Sequence, residues 1–324
     1  MDQVKITIPV DHGNRHVKTL NHVFPASYVE SGHLPSFGDD VLIYNGKEYT
    51  LTDKRMAQKN DKTKDDSYFI LTLFAIGKEL ANGEDTASLS HVSPETHIDV
   101  DLLVGLPPMH CKEMGARFTR YFKEHGGCIT FELNQRPYTV KIADVYVYPQ
   151  AYAAALTFKE NLMDSRVVNL VDAGGYTVDL LQLVGFKPDM SVCTSLYSGA
   201  NTLFQRINEQ VRAKGAKDIP DAIIEGIIQN NPKVISGYSP ERVGLVHSCA
   251  EQFTQELVLA ISQAGLDLEE NKTVFVGGGS ILLKEYIEKT GMVAKPFFVD
   301  NIKANAEGYQ LLYNRKKASK AQTP

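Results

Sequence analysis

Alternating apolar and polar residues at the start of the chain predict a β-hairpin. The stretch VKITIPVDHGNRHVKTL carries this alternation on both sides of residues 11–14, which accept the conformations of a tight turn. The same arrangement returns in VVNLVDAGGYTVDLLQLVG, where an apolar run pauses at residues 172–176 and then resumes. An aspartate precedes a glycine by two positions in both hairpins, and the aspartates lie 161 positions apart (172 minus 11). This distance is about half the chain, so the sequence predicts two related halves.

Apolar runs and helical spacing predict the elements between these hairpins. The polar stretch TDKRMAQKNDKTKDD predicts an exposed loop leading into a helix over SYFILTLFAIGKELAN, and this region is typical of an insertion rather than of a core. HIDVDLLVGLPP predicts a central strand, KEMGARFTRYFKEHGG a helix, and GCITFELNQRPYTVKIADVYVYP consecutive strands. The alanine-rich segment QAYAAALTFKENL predicts a helix that begins near Gln150.

The second half of the chain predicts mostly helices. They cover SGANTLFQRINEQVRAKG, IPDAIIEGIIQNNP and SPERVGLVHSCAEQFTQELVLAISQAG. KTVFVGGGSILLKEYIEKTG then predicts a strand, a glycine turn and a helix. The last segment, NRKKASKAQTP, lacks large apolar residues and predicts a frayed terminus.

Composition and charge narrow the class of protein. A chain of 324 residues exceeds the usual size of a single core, which favours two domains. The net charge of -5 gives no broadly basic surface, so we expect no direct contact with nucleic acid. The sequence MDQVKITIPVD has no basic leader, and the apolar stretch YFILTLFAIG is too short to span a bilayer, so we expect a cytoplasmic protein without a membrane partner. The four cysteines are scattered, which disfavours a disulfide frame or a thiolate zinc site.

Three glycine-containing turns are the candidate chemical features. Glycines let backbone N–H groups approach phosphate oxygens, and a carboxylate at a strand end can hold a hydrated Mg²⁺ beside them. The two hairpins could therefore clamp phosphates from both sides, although turns also favour Asp, Asn and Gly for purely conformational reasons. The third turn, in VFVGGGSILL, suits close approach of a nucleoside or phosphate. The sequence contains no G-x-x-x-x-G-K-[ST] motif and no G-x-G-x-x-G after a strand.

The order of these segments resembles the actin, Hsp70 and sugar-kinase superfamily. VDHGNRHVKT resembles its first phosphate motif, YPQAYAAAL its first connecting motif and LVDAGGYTVDLL its second phosphate motif. VFVGGGSILL resembles the adenosine motif and IKANAEGYQLL the second connecting motif. Asn14, Arg15 and His16 depart from the small or hydroxyl residues common in the first motif. Within the superfamily the chain most resembles the bacterial actin-like ParM group, which segregates plasmids by polymerising with ATP or GTP.

The resemblance implies an α/β fold of the actin-like (ribonuclease H-like) type, with two similar subdomains around a nucleotide cleft. Subdomain I would cover residues 1–155, with an inserted smaller lobe at about 28–95, and would be joined by the C-terminal segment 303–324. Subdomain II would cover residues 156–302, with a helical lobe at about 198–265.

The resemblance also implies a site for ATP or GTP with Mg²⁺. Asp11 and Asp172 would hold the ion through its waters, with Asp172 also serving catalysis, and Lys18 would place positive charge near the phosphates. Gln150 would orient the attacking water. Direct ligation of a metal by Asp11, His12 and His16 is an alternative that hairpin spacing does not fix. The nucleotide-binding residues implied by the motifs are Asp11, Gly13, Asn14, Arg15, Lys18, Gly174, Gly175, Tyr176, Thr177, Gly277, Gly278, Gly279 and Ser280.

The function implied by the resemblance is a filament-forming ATP or GTP hydrolase that drives plasmid DNA segregation. Its partners would be further copies of itself and a DNA-binding partition adaptor. One alternative is a small-molecule kinase on the same fold, with Asp144 or Asp179 as the base. Another is a nucleotide-binding scaffold with little turnover.

Overall fold

A computed structural model describes residues 4–30, 40–53, 61–82, 97–125 and 127–321. The strands are β1 (Val4–His12), β2 (His16–Lys18), β3 (Val23–Pro25), β4 (Tyr28–Glu30), β5 (Val41–Tyr44), β6 (Lys47–Leu51), β7 (His97–Leu106), β8 (Cys128–Leu133), β9 (Arg136–Pro149), β10 (Val167–Ala173), β11 (Val178–Val184), β12 (Lys187–Leu196), β13 (Lys272–Val276) and β14 (Pro296–Phe298). The helices are α1 (Ser67–Ala81), α2 (Pro108–Glu124), α3 (Tyr152–Thr157), α4 (Ala200–Ala213), α5 (Asp221–Ile228), α6 (Pro232–Ile235), α7 (Pro240–Gln263), α8 (Gly278–Leu282), α9 (Lys284–Thr290) and α10 (Ala304–Ala321), with a 3₁₀ turn at Lys159–Leu162.

The chain divides into two compact units. Unit 1 comprises Met1–Thr157 and Lys303–Pro324, and unit 2 comprises Phe158–Ile302. The boundary expected after residue 155 lies two residues from this division, and the expected return at residue 303 coincides with it.

Unit 1 is built on a nine-stranded sheet with the order β3-β2-β1-β7-β9-β8-β5-β6-β4. β1, β7 and β9 run parallel, and the other neighbouring pairs are antiparallel. Side chains alternate along β7, because Leu102 and Val104 join the core that contains α1 and α2, whereas Leu103 packs with residues of α3 and α10. Helices therefore cover both faces of the central strands, which explains their nearly continuous apolar character.

One expectation for unit 1 is wrong. α1 is a core helix, with Phe69, Leu71 and Phe74 fully buried, because its apolar residues cover almost the whole helix rather than one stripe. The strands β4, β5 and β6 extend the main sheet through β8. Residues 54–60 of the expected loop, and residues 31–39 and 83–95 of the expected lobe, lie outside the described residues.

The C-terminal segment is also helical where a frayed end is expected. α10 continues through the basic run to Ala321, although residues 314–321 are exposed. Lysine, arginine and alanine are strong helix formers, and the helix is fixed upstream by the buried side chains of Tyr309 and Tyr313. Without large apolar residues the last part of α10 has no buried face, but the helix itself continues to Ala321.

Unit 2 has a five-stranded sheet with the order β12-β11-β10-β13-β14. β10 pairs in parallel with β13 and antiparallel with β11. Its main core joins this sheet to α4, α5, α7 and α9 through side chains that include Phe204, Ile207, Phe253 and Phe275. The helices α4 to α7 lie within the residue range of the expected helical lobe.

The two sheets share one topology. In each sheet, three consecutive strands pair antiparallel, and the third of them begins a run of three strands that pair parallel. The orders are β3-β2-β1-β7-β9 and β12-β11-β10-β13-β14. The prediction of two related halves from the repeated Asp-x-Gly hairpin is therefore confirmed.

Two further properties concern the described residues as a whole. No helix among them is both long and apolar enough to cross a bilayer. The four cysteines are free, and Cys128 is exposed.

Candidate functional site

The first hairpin of the chain carries a buried carboxylate. β1 pairs with β2 so that Asp11 lies opposite Lys18 and His12 opposite Val17. The hairpin is therefore confirmed, but Asp11 is the penultimate strand residue and the turn covers residues 13–15 instead of 11–14. Asp11 belongs to the strand and not to the turn because its side chain is buried, with 2% of its surface exposed.

Two side chains named from the sequence bond to Asp11. Gln150 Nε2 donates to Asp11 Oδ1 at 2.8 Å, and Lys18 Nζ lies 3.4 Å from Asp11 Oδ2. Burial by itself raises the pKa of Asp11, but the charges of Lys18 and Lys62 and the hydrogen bond from Gln150 outweigh it and lower the pKa below its ordinary value. The buried group is therefore an anion at neutral pH.

The turn itself depends on glycine at position 13. A Cβ there would lie 2.6 Å from the His16 carbonyl oxygen and 2.7 Å from Lys18 Nζ. Asn14 and Arg15 complete the turn and are half-buried. A side chain at residue 13 would therefore displace the lysine that faces Asp11.

Gln150 lies before a helix, not within it. α3 begins at Tyr152, so the predicted helix start near Gln150 is two residues early. Ala151 has a φ of +57°, a left-handed conformation that is costly for alanine, and its N–H donates to Asn305 Oδ1 at 3.0 Å. The Gln150 N–H donates to the Leu106 carbonyl at 2.9 Å. These contacts fix the backbone on both sides of the glutamine side chain that reaches Asp11.

Lys62 and the burial of His12 are two features of the site that the sequence pattern does not predict. Lys62 Nζ donates to the His12 carbonyl at 2.8 Å, although the sequence places this lysine in a polar stretch expected to be exposed. His12 is fully buried, stacks on Phe122 and bonds through Nε2 to Thr72 Oγ1 at 2.8 Å. The Thr72 hydroxyl already donates to the Tyr68 carbonyl, so His12 Nε2 is the donor.

The environment of His12 keeps its imidazole neutral. Burial, and secondarily the charge of Lys62, lowers the pKa of His12 to about 3. Because Nε2 carries the proton donated to Thr72, Nδ1 is the nitrogen with an available lone pair, and it has no hydrogen-bond partner among the described residues. No group of three or more His, Cys, Asp or Glu residues that could hold a metal ion occurs in the described part of the chain.

The second phosphate motif forms the corresponding hairpin in unit 2. Asp172 lies opposite Asp179 in the β10–β11 ladder, and the turn covers residues 174–177, which include Gly175, Tyr176 and Thr177. Backbone N–H groups at the start of α4 hold this turn, because Gly199, Ala200 and Asn201 donate to the carbonyls of Tyr176, Gly174 and Gly175. A Cβ on Gly199 would lie 2.5 Å from the Gly175 carbonyl, so this approach requires glycine.

The glycine-rich turn of VFVGGGSILL packs directly on the second phosphate turn. Gly277 has a φ of +87°, and a Cβ there would lie 2.6 Å from Asp172 Oδ1 and from the Ala173 carbonyl oxygen. A Cβ on Gly279 would meet the Ala173 and Gly174 carbonyls at 2.9 and 3.2 Å. The structure therefore brings together the second phosphate and adenosine motifs, which lie about a hundred residues apart.

The remaining residues of this region differ in what they offer to a ligand. Gly278 is exposed, with no neighbouring atom within 4 Å of an added Cβ. The Ser280 hydroxyl is fully buried and donates to the Val276 carbonyl at 2.7 Å, so it caps a strand end instead of facing solvent. Asn201, which lies outside the predicted site residues, is 5% exposed, and its Oδ1 has no hydrogen-bond partner among the described residues.

The two candidate bases of the kinase alternative are both engaged. Asp144 is half exposed and pairs with Lys123 at 3.0 Å. Asp179 is buried, and its Oδ1 accepts from Ser195 Oγ at 2.5 Å.

Comparisons with known proteins agree with this architecture. Residues 9–152 match the family model "Actin like proteins N terminal domain", and residues 170–289 match "Archaeal actin homologue MreB-like, C-terminal". No curated protein sequence matches the chain.

Solved structures align over nearly the whole chain. The archaeal actin homologue Ta0583 is 16% identical with a TM-score of 0.72, and the alignment covers 96% of this chain and 99% of that one. A ParM from Clostridium botulinum, solved as a 15-stranded filament, is 15% identical with a TM-score of 0.74, covering 97% and 100%. Ta0583 in complex with ADP is 16% identical with a TM-score of 0.69, covering 96% and 99%. The predicted α/β, actin-like fold is confirmed.

Proposed function

This chain belongs to the actin-like proteins, and we propose that it is a filament-forming hydrolase of ATP or GTP that works with Mg²⁺. One observation carries the proposal. Asp11 and Asp172 occupy equivalent positions in the two sheets, at the carboxyl end of a central strand. Each of these strands pairs antiparallel with the next strand of its hairpin on one side and parallel with another strand on the other side. Ligands of open α/β sheets bind at such strand ends.

The residues at these strand ends fit a metal-bound polyphosphate. Two carboxylates can accept hydrogen bonds from the water shell of Mg²⁺, and glycine turns leave room for phosphate oxygens beside them. When bound, the ion would neutralise charge that develops on the phosphates during hydrolysis. Lys18 would add positive charge on the side of Asp11.

Gln150 is the proposed water-positioning residue. Its Nε2 donates to Asp11, so the side-chain carbonyl Oε1 is the atom that would accept a hydrogen bond from the attacking water. An amide cannot take the proton, and its contribution would be orientation. The fixed backbone at Gln150 and Ala151 supports this role, because a positioning group needs one conformation.

Self-assembly and plasmid segregation extend the proposal beyond nucleotide chemistry. A relative of this fold forms a ParM filament, and another binds ADP. We infer that copies of this chain assemble head to tail, that loss of the terminal phosphate weakens the contact, and that a DNA-binding adaptor links the polymer to plasmid DNA in the cytoplasm.

The test is light scattering with phosphate release measured in the same sample after addition of Mg-ATP or Mg-GTP. We expect the wild-type protein to scatter and to release phosphate, and Gln150→Ala to scatter with strongly reduced release. Asp172→Ala should lose both signals, whereas Asp144→Asn, which changes an exposed carboxylate outside the turns, should keep both. Acceptor-dependent turnover without scattering would instead indicate a kinase, and binding without turnover a scaffold.

A further inference from the structure

We propose that Lys62 is a second phosphate-binding cation of this site and contacts the terminal phosphates of the nucleotide together with Lys18. The inference rests on the proposed function and deepens it, because it assigns a ligand contact to a segment in which no motif occurs. The first observation is the position of the Lys62 ammonium group. Lys62 Nζ bonds the carbonyl oxygen of His12, the residue between Asp11 and Gly13, so its ammonium group lies at the first phosphate turn.

The segment that carries Lys62 is anchored rather than loose. Asp61 pairs with Arg117 at 2.7 Å and accepts hydrogen bonds from the backbone and hydroxyl of Thr63 at 2.9 and 2.7 Å. The Lys62 ammonium also lies 5.2 Å from the centre of the Tyr68 ring, in a cation–π contact. A lysine held from both sides in this way loses little conformational freedom when it binds an anion.

Two lysine ammonium groups act on one buried carboxylate at this turn. The positive charges of Lys18 and Lys62 both lower the pKa of Asp11, whose carboxylate carries a single negative charge. His12 contributes no charge. Since Gly13 leaves the turn without a side chain at its centre, the two ammonium groups suit a ligand with several negative charges, as a di- or triphosphate has.

Three variants separate a phosphate contact from a structural role. Lys62→Gln removes the charge but retains an N–H donor for the His12 carbonyl, and Lys62→Arg retains the charge. Lys64→Gln is the matched control, because Lys64 is an exposed lysine two residues further along the same segment. Titrations would measure the affinity of each full-length variant for Mg-ATP, Mg-GTP, the two free nucleosides and inorganic tripolyphosphate.

We expect Lys62→Gln to weaken the preferred Mg-nucleotide and tripolyphosphate by about tenfold or more, as loss of one charge-assisted hydrogen bond implies. Binding of the nucleoside should change by less than about twofold, Lys62→Arg should recover most of the loss, and Lys64→Gln should match the wild type. Equal losses for nucleoside and triphosphate, or unchanged affinity of Lys62→Gln for both phosphate ligands, would overturn the inference.

The design also distinguishes this inference from the proposed function. A wild-type protein that binds tripolyphosphate but neither Mg-nucleotide would refute the proposed function, and the response of Lys62→Gln to tripolyphosphate would still decide the role of Lys62. A wild-type protein that binds neither nucleotide nor tripolyphosphate would refute both.

Discussion

Among the described glycines of unit 1, Gly308 has the closest approach to another segment's backbone, and it predicts the effect of a single methyl group. α10 crosses α3 at Gly308, where an added Cβ would lie 2.0 Å from the carbonyl oxygen of Ala153 and 2.2 Å from its carbonyl carbon. Ordinary van der Waals contact begins at 3.4 Å, so Gly308→Ala requires the helices to separate by about 1.4 Å (3.4 minus 2.0). Because both atoms belong to the backbone, no side-chain rotation can relieve the clash.

The size of the effect follows from two opposing contributions. Overpacking against rigid backbone lies at the upper end of its usual range, about 3 kcal/mol. Alanine in place of glycine within a helix recovers about 1 kcal/mol. We therefore expect Gly308→Ala to reduce the free energy of unfolding by about 2 kcal/mol, which for a unit of this size lowers its Tm by about 4–8 °C.

Differential scanning calorimetry of the wild type and two glycine variants measures this effect. Gly115→Ala is the control, because Gly115 also lies within a helix of unit 1 and its added Cβ would have only Val147 Cγ1 nearby, at 4.0 Å. The control should be neutral or stabilised by up to about 1 kcal/mol. Since α3 begins two residues after Gln150, Gly308→Ala should also slow phosphate release. Equal Tm values for Gly308→Ala and the wild type would refute the close approach of α3 and α10.

Two further predictions concern strain and pH. Ala151→Gly should reduce the free energy of unfolding by about 1 kcal/mol less than Ala155→Gly, because both variants lose a fully buried methyl group but, of the two residues, only Ala151 has a positive φ. Urea unfolding of the two variants measures this difference, and equal losses would argue against strain at Ala151. The pKa of His12 is about 3 in the folded chain and 6.5 in the unfolded chain. Its contribution to the free energy of unfolding is therefore fully present above pH 6.5 and falls by about 1.4 kcal/mol per pH unit as the pH drops towards 3. Urea unfolding at pH 7.0 and 5.5 should therefore show a steeper loss for the wild type than for His12→Gln, and parallel losses would contradict a neutral buried His12.

The sequence predicts the parts of the site that depend on local pattern. Asp11 and Asp172 follow apolar alternation and precede glycines, so hairpin geometry is readable from a few neighbouring residues. Gly277 follows an apolar strand, and its place against Asp172 follows from the parallel pairing of β10 with β13. Local rules suffice here because each motif combines a strand with its own turn.

The parts that escaped prediction depend on distant contacts. Lys62 is one lysine in a polar run, and its contacts with the His12 carbonyl and the Tyr68 ring distinguish it from its neighbours. The helix predicted from Gln150 starts later, because Asn305 holds Ala151 in a left-handed conformation from 154 positions away. Helix propensity carries no information about such a partner.

The central claim is that one Mg-nucleotide depends on the aspartates of both hairpins. Calorimetric titration of Mg-ATP and Mg-GTP into the wild type, Asp11→Asn and Asp172→Asn, each with and without Mg²⁺, tests it most directly. The account predicts Mg²⁺-dependent binding by the wild type that either single substitution weakens by about tenfold or more. Wild-type affinity in either variant, or binding indifferent to Mg²⁺, would contradict it.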